Sequence, residues 1–299
     1  MPDVNQLNDQ FSIPGLRFET NPQGMVRATI QTPAAEAELY LQGAHVTRWK
    51  PAGHREVLWL SRSSWFESGK PIRGGIPICF PWFGPHPVDP QQPAHGTARI
   101  SNWNIAQAEE TAEHGVKLWL TAQIETFQMT YTVDFGNELK LGLQIRNSQA
   151  STYELPIEEA LHTYFSVSDI RQVSIEGLQQ AAYIDKMDNG LLKAPAHTAI
   201  RFDRETDRIY VNTEAACTLH DPNLQREIVV GKRGSLSTVV WNPWIAKAAR
   251  MPDFRDDEWQ GMVCIESANV ATNALTLAPG ESHSLQVDIS VNAMTNASV

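Results

Sequence analysis

The segment Ile157-Glu-Glu-Ala-Leu-His-Thr-Tyr-Phe165 alternates as a strand does, with Glu158, Ala160, His162 and Tyr164 on one face and Leu161, Thr163 and Phe165 on the other. If the second face meets the core, His162 and Tyr164 line a cleft together; if the first does, they are a buried polar pair that needs partners. Neither assignment leaves His162 as an idle surface residue. Further along, Gln260-Gly-Met-Val-Cys-Ile-Glu-Ser267 ends an apolar strand on the carboxylate of Glu266. Desolvation there raises a carboxyl pKa toward neutrality, which suits a general base. The plainer alternative is a strand-end glutamate turned to solvent. A histidine with a glutamate makes an acid–base pair of differing pKa, whereas two carboxylates would suggest glycoside hydrolysis.

Two further segments carry cations. Pro71-Ile-Arg-Gly-Gly-Ile-Pro-Ile-Cys-Phe-Pro-Trp-Phe-Gly84 sets paired glycines beside Arg73, which would allow close backbone approach to something bound, with prolines holding the loop. Pro93-Ala-His-Gly-Thr-Ala-Arg-Ile100 brings His95 and Arg99 within four residues, and a guanidinium fork matches a phosphate. These arginines matter because the chain is acidic, with 34 Asp and Glu against 24 Lys and Arg and a formal charge of -10. An anionic substrate is repelled at long range and needs cations of its own within a Debye length of about 8 Å. No basic run tracks a phosphate backbone, so nucleic acid is not expected as a partner.

Other chemistries lack their signatures. There is no GxGxxG after a strand, no GxxxxGK[ST] and no GxSxG. The closest histidines, such as His86 and His95, are nine positions apart, and without HxH or HxxxH spacing no metal site is expected. Cys79, Cys217 and Cys264 form no CxxC pair and are odd in number, a reducing-compartment pattern. The start has no cationic and apolar leader, and no uncharged apolar run of about 18 residues follows. A soluble cytoplasmic protein without membrane contact is expected.

The elements that must position these residues read as strands. Period two is plainest from Val116 to Ile124 and recurs at Leu139 to Ile145 and Leu285 to Val291. Shorter runs lie at Val26 to Ile30, Ala37 to Gln42, Phe127 to Val133, Arg208 to Val211, Ala216 to Leu219, Glu227 to Val230, Thr238 to Trp241 and Met262 to Glu266. Turn signals such as Asp188-Asn-Gly and Ala278-Pro-Gly separate the runs. Helical pattern is confined to a short piece at Trp244 to Arg250. The fold class is therefore all-β, a large antiparallel β-sandwich with few short helices. No linker divides the chain: residues 1–10 are expected to be loose and 11–295 to form one domain.

Taken in order, the segments resemble the D-hexose-6-phosphate mutarotases (glucose-6-phosphate 1-epimerases), a branch of the aldose 1-epimerase-like superfamily. The resemblance covers most of the chain. Its motifs are Leu41-Gln-Gly-Ala-His-Val, Val57-Leu-Trp-Leu-Ser, Ile72-Arg-Gly-Gly-Ile-Pro, His95-Gly-Thr-Ala-Arg, Leu161-His-Thr-Tyr-Phe, Asp203-Arg-Glu-Thr-Asp-Arg-Ile-Tyr, Val240-Trp-Asn-Pro-Trp and Cys264-Ile-Glu.

The resemblance implies a galactose-mutarotase-like β-sandwich that works as a monomer, without cofactor, on a hexose 6-phosphate. It implies His162 as general acid, Glu266 as general base, and Arg73, Arg99 and Asp207 as substrate contacts, with His95 where the superfamily has a sugar-binding histidine. One departure is Ala94, where some members have a glutamine before His-Gly. Two other functions are set against this one. A non-catalytic sugar sensor would not need both His162 and Glu266, and an epimerase of unphosphorylated aldoses would not need two arginines in glycine-rich loops.

Overall fold

The computed structural model describes residues 3–148, 151 and 153–294. The long alternating runs become the long strands of one sheet. Val116–Ile124, Phe127–Phe135 and Leu139–Asn147 are successive antiparallel neighbours, continued by Ser282–Ala293, Arg226–Arg233, Cys217–Asp221 and Ser174–Glu176, with Asn104–Glu110 at the far edge. Leu118, Leu120, Tyr131, Val133, Leu143 and Leu285 are buried on its inner face, while Lys117, Gln128 and Lys140 alternate with them outward.

The second sheet carries the chemistry. From one edge it runs Leu191–Lys193, Tyr183–Asp185, Thr206–Tyr210, Ser237–Asn242, Met262–Asn269, Glu159–Leu161 and Ile78–Cys79, and Tyr164–Ser166 also pairs with Met262–Asn269. Its two central strands, Ser237–Asn242 and Met262–Asn269, are buried at every position. A strand covered on both faces has one face on the shared core, here Val240, Val263 and Ile265, and another against something else. Leu118, Tyr131, Leu143, Phe165, Val240 and Ile265 all belong to one continuous core, which makes the architecture a β-sandwich.

A four-stranded sheet, Leu16–Thr20, Val26–Gln31, Ala35–Tyr40 and His45–Pro51, joins the same core through Phe18, Leu39, Val46 and Trp49. The Trp49 indole N–H donates to the Gly136 carbonyl at 3.1 Å, tying this sheet to the first. The expectation of a loose start does not hold. Val4–Gln10 is a helix whose Leu7 is buried and whose Asn8 side chain exchanges two hydrogen bonds with the Phe18 backbone, at 2.9 and 2.8 Å. A seven-residue amphipathic piece carries too weak a pattern to read without the strand it docks on. Residues 1, 2 and 295 lie outside the described residues. The other helix, Trp244–Ala248, begins where the sequence places it. Among the described residues no helix is long and apolar enough to cross a membrane.

Three polar side chains hold the loop that carries Arg73. Gln42, though buried, receives the Gly69 N–H at 2.8 Å and donates to the Lys70 carbonyl at 2.9 Å. His45, fully buried and pushed by burial down to about 4, is neutral and donates to the Gly74 carbonyl at 2.7 Å. The Arg73 N–H donates to the Ser64 hydroxyl at 2.8 Å. The paired glycines serve this packing rather than a ligand. A Cβ on Gly74 would lie 2.5 Å from the Trp59 carbonyl oxygen, and one on Gly75, at φ +63°, 2.2 Å from that of Val46.

Gly75→Ala should therefore cost about 2 kcal/mol or more of stability, since the clash is with backbone and the conformation is left-handed. The comparison is Gly24→Ala, also at positive φ but with nothing within 4 Å of its Cβ. The urea midpoints of the two variants measure the difference, and equal losses would show that the backbone at Gly75 yields.

Candidate active site

Register builds the site. Asp207, Trp241, Cys264 and Tyr164 face one another across four strands, and in the neighbouring row Val239 pairs with Glu266. The strand read through Ile157 to Phe165 is broken in the structure: Glu159–Leu161 and Tyr164–Ser166 both pair with Met262–Asn269, and His162 and Thr163 lie between them. The register is the same on both sides of the break, Leu161 opposite Ser267 and Tyr164 opposite Cys264, so His162 falls opposite Glu266. Between them the Ile265 N–H donates to the Thr163 carbonyl at 3.2 Å, and the His162 N–H faces the other side, to the Pro77 carbonyl at 3.0 Å. Leu161 and Phe165 sit in the core and His162 and Tyr164 line a cavity, the first of the two face assignments. Glu266 is not at a strand end; the strand continues to Asn269.

The cavity has a volume of about 300 Å³ and is lined by all six singled-out residues, Arg73, His95, Arg99, His162, Asp207 and Glu266. His162 Nε2 lies 3.3 Å from Glu266 Oε1, with the two residues only 6 % and 1 % exposed. Burial pushes the Glu266 carboxyl well above the usual carboxylate range, Asp207 adding to the rise and Lys186 opposing it. Burial likewise pushes the His162 imidazole well below its ordinary value, helped by Arg99 and Arg73. Both groups thus favour their neutral forms, and one exchangeable proton belongs to the pair.

Around the pair stand donors and cations. His95 Nδ1 accepts the Gly84 N–H at 3.3 Å and burial keeps the ring neutral, so Nε2 carries the proton and can donate. Arg99, 8 % exposed, donates from Nη2 to the Ala94 carbonyl at 2.6 Å. The backbone at position 94 thus holds Arg99 although the side chain offers nothing. No carboxylate forms an ion pair with Arg99 among the described residues, and burial lowers its pKa. Arg73 is different. Its Nε and Nη2 both meet Asp253 Oδ2 at 3.1 Å, and Nη1 donates to the Tyr164 hydroxyl at 3.0 Å. Burial raises the pKa of Asp207, against the pull of Lys186 and Lys247.

Several lining residues have no strong signal in the sequence. Lys186 begins the short turn Lys186–Asp188 and Lys247 lies on the helix Trp244–Ala248; both reach the pocket. Each is an isolated lysine in an otherwise ordinary turn or helix, and only the fold aims it. Trp241 meets the His162 ring edge-on at 6.2 Å and lines the pocket, whereas Trp82 does not. The structure also gathers His162, Cys264 and Glu266, whose donor atoms lie within 4.8 Å of one another, a grouping that sequence spacing hides. Burial and Glu266 push the Cys264 thiol well up, the Glu266 carboxyl holds its proton too, and Arg73 and Arg99 share the cavity. Protonated donors beside two guanidiniums disfavour a dication.

The antiparallel sandwich is that of mutarotase-like proteins. A crystal structure from Salmonella typhimurium, described as "a putative mutarotase", superposes with a TM-score of 0.86 at 31% identity, covering 96% of this chain and 99% of that one. The aldose 1-epimerase family model matches residues 27–290, and the chain belongs to that family. An Escherichia coli K12 relative named "Putative glucose-6-phosphate 1-epimerase" is 37% identical over 241 residues, which is 80% of this chain and 81% of that protein. One of the same name from Cenchrus ciliaris is 35% identical over 292 residues, 91% and 86% of the two chains.

The raised Glu266 pKa has a stability consequence. A carboxyl whose folded pKa exceeds its unfolded value of about 4.3 binds more protons folded than unfolded between those values, so stability falls as pH rises through that window. Glu266→Gln removes the titration. Its melting temperature relative to wild type should climb as pH rises above about 4.5, following a slope of up to about 1.4 kcal/mol per pH unit. A pH-independent difference would mean that the carboxyl is not held protonated.

Proposed function

We propose that this protein interconverts the α and β anomers of hexose 6-phosphates. The observation that carries the reading is the His162–Glu266 pair, 3.3 Å apart and buried, in a pocket that also holds two guanidiniums. A ring-opening catalyst must take a proton from the C1 hydroxyl while giving one to the ring oxygen, and must then reverse both transfers. In this reading bound sugar finds the shared proton on His162. Glu266 accepts the C1 hydroxyl proton, His162 protonates the ring oxygen, the C1–O bond opens, and C1 becomes an aldehyde. Rotation about C1–C2 presents the other carbonyl face. The reverse transfers close the ring, and no proton or electron is consumed.

The charges suit this orientation. C6 hangs on the carbon bonded to the ring oxygen, so a 6-phosphate lies on the side of the acid. The cations acting most on His162 are Arg99 and Arg73, and those groups would face the phosphate. Arg99, unpaired, carries the larger share; Arg73 offers the protons that Asp253 and Tyr164 leave free. Asp207 and Lys186, which act on Glu266, would face hydroxyls near C1, and His95 would donate to a sugar oxygen. Every group comes from one chain, so a monomer suffices, and the acid–base route calls for no cofactor. The names of the E. coli and Cenchrus ciliaris relatives support the same substrate class.

His162→Ala and Glu266→Gln should each lower kcat by about 10²-fold or more, the usual share of general acid–base catalysis. Exchange NMR or polarimetry measures this after subtraction of the buffer-catalysed background, and a folded variant at the wild-type rate would remove that residue from the mechanism. Arg99→Ala tests the substrate class. Loss of a charge-assisted bond worth about 1.5–3 kcal/mol predicts a fall of roughly 10- to 150-fold in kcat/KM for glucose 6-phosphate. Glucose should be turned over as poorly as before. Equal losses for the two sugars would favour an epimerase of unphosphorylated aldoses.

A further inference from the structure

A proton-transferring imidazole must be held in one orientation, commonly by a hydrogen bond to the nitrogen that does not react. His162 has no such bond to another residue. Its Nε2 points at Glu266, and its buried Nδ1 meets no side chain, the polar group in reach being its own backbone. What sets the ring plane is Tyr164, stacked on it face to face with centroids 4.8 Å apart and planes within 10°. His95 and Trp241 touch the same imidazole only edge-on, at 5.6 and 6.2 Å.

Tyr164 itself is fixed at three points. Its backbone is registered opposite Cys264, its ring stacks on Trp59 at 5.7 Å, and its hydroxyl accepts the Arg73 hydrogen bond that Asp253 braces. Asp253 is 3 % exposed and belongs to none of the sequence motifs above.

We propose that Tyr164 is the positioning residue of His162, its ring face doing what a hydrogen bond to Nδ1 does elsewhere, and that Asp253 and Arg73 hold Tyr164 in place. The inference rests on His162 being the acid of the proposed reaction. It also separates two parts of one side chain: the stack orients the imidazole, and the hydroxyl only anchors the stack.

The test compares Tyr164→Leu, which removes the ring, with Tyr164→Phe, which keeps it. Misplacement by about 1 Å can cost up to 10²-fold, so the leucine variant should lose at least about 10-fold in kcat on both glucose 6-phosphate and glucose with KM nearly unchanged. The phenylalanine variant, which keeps the stack and loses only the anchor to Arg73, should lose clearly less kcat than the leucine variant. A second readout needs no turnover: NMR titration of the His162 ring. Burial under Tyr164 helps hold that imidazole below its ordinary value, so the titration should move up toward 6.5 in the leucine variant and stay low in the phenylalanine one. Tyr164→Met serves the same purpose if leucine prevents folding. A leucine variant with wild-type kcat and an unmoved titration, or a phenylalanine variant as impaired as the leucine one, overturns the proposal. If His162→Ala is itself fully active, the reading of His162 as acid fails instead, and the titration still reports on the stack.

Discussion

Everything at the site depends on one strand being buried along both faces. Met262–Asn269 pairs with Ser237–Asn242 on one side and with two short strands on the other, and the gap between those short strands is His162-Thr163. Across the gap the Ile265 N–H still donates to the Thr163 carbonyl at 3.2 Å, which keeps the register. The His162 and Tyr164 N–H groups face the other side, to the Pro77 and Gly75 carbonyls, while the His162 side chain stays opposite Glu266. Because Val263 and Ile265 point into the sandwich core, Glu266 points the other way, into the cavity. A one-residue slip would exchange the carboxylate for an isoleucine.

Burial also sets the electrostatics. Taking a carboxyl and an imidazole out of water favours the neutral form of each, so the pair keeps a single proton poised between two atoms 3.3 Å apart. The same burial makes Arg99 costly, since among the described residues no carboxylate forms an ion pair with it and Asp253 acts on it only from a distance, whereas Arg73 is paired directly with Asp253. An acidic chain can thus present a local positive field in one pocket. The two guanidiniums are not equivalent within it: one is free for an anion, and the other is largely occupied by the protein.

The supporting shell is polar and nearly all of it addresses backbone. Asn242 donates to the carbonyls of Trp259 and Met262 at 2.8 and 2.9 Å and accepts from the Trp244 N–H at 2.9 Å, which locks Trp241 and the helix carrying Lys247. Glu158 accepts the N–H groups of Phe83 and Ala271 at 3.0 and 2.8 Å and so pins the loop before His95. With His45 and Gln42 under the Arg73 loop, these contacts explain motifs that carry no reacting group. They place irregular chain where loops alone would wander.

The sequence by itself determines the long strands and the candidates for the chemistry. Val116 to Ile124, Leu139 to Ile145 and Leu285 to Val291 show period two because one face of each is buried and the other is wet, a local property of a sandwich strand. His162 and Glu266 are legible as candidates because ionisable groups amid apolar neighbours are unusual, and Arg73, Arg99 and His95 because glycines and prolines surround them. Only the tertiary structure decides what meets what. His162 faces Glu266 through a register between segments far apart in the chain, and antiparallel pairing across such a separation leaves no local trace. The break at His162, the pairing of Arg73 with Asp253 and the arrival of Lys186 and Lys247 are likewise products of packing. The helix Val4–Gln10 makes the same point in reverse: seven residues have too little pattern of their own, and the strand beneath supplies the rest.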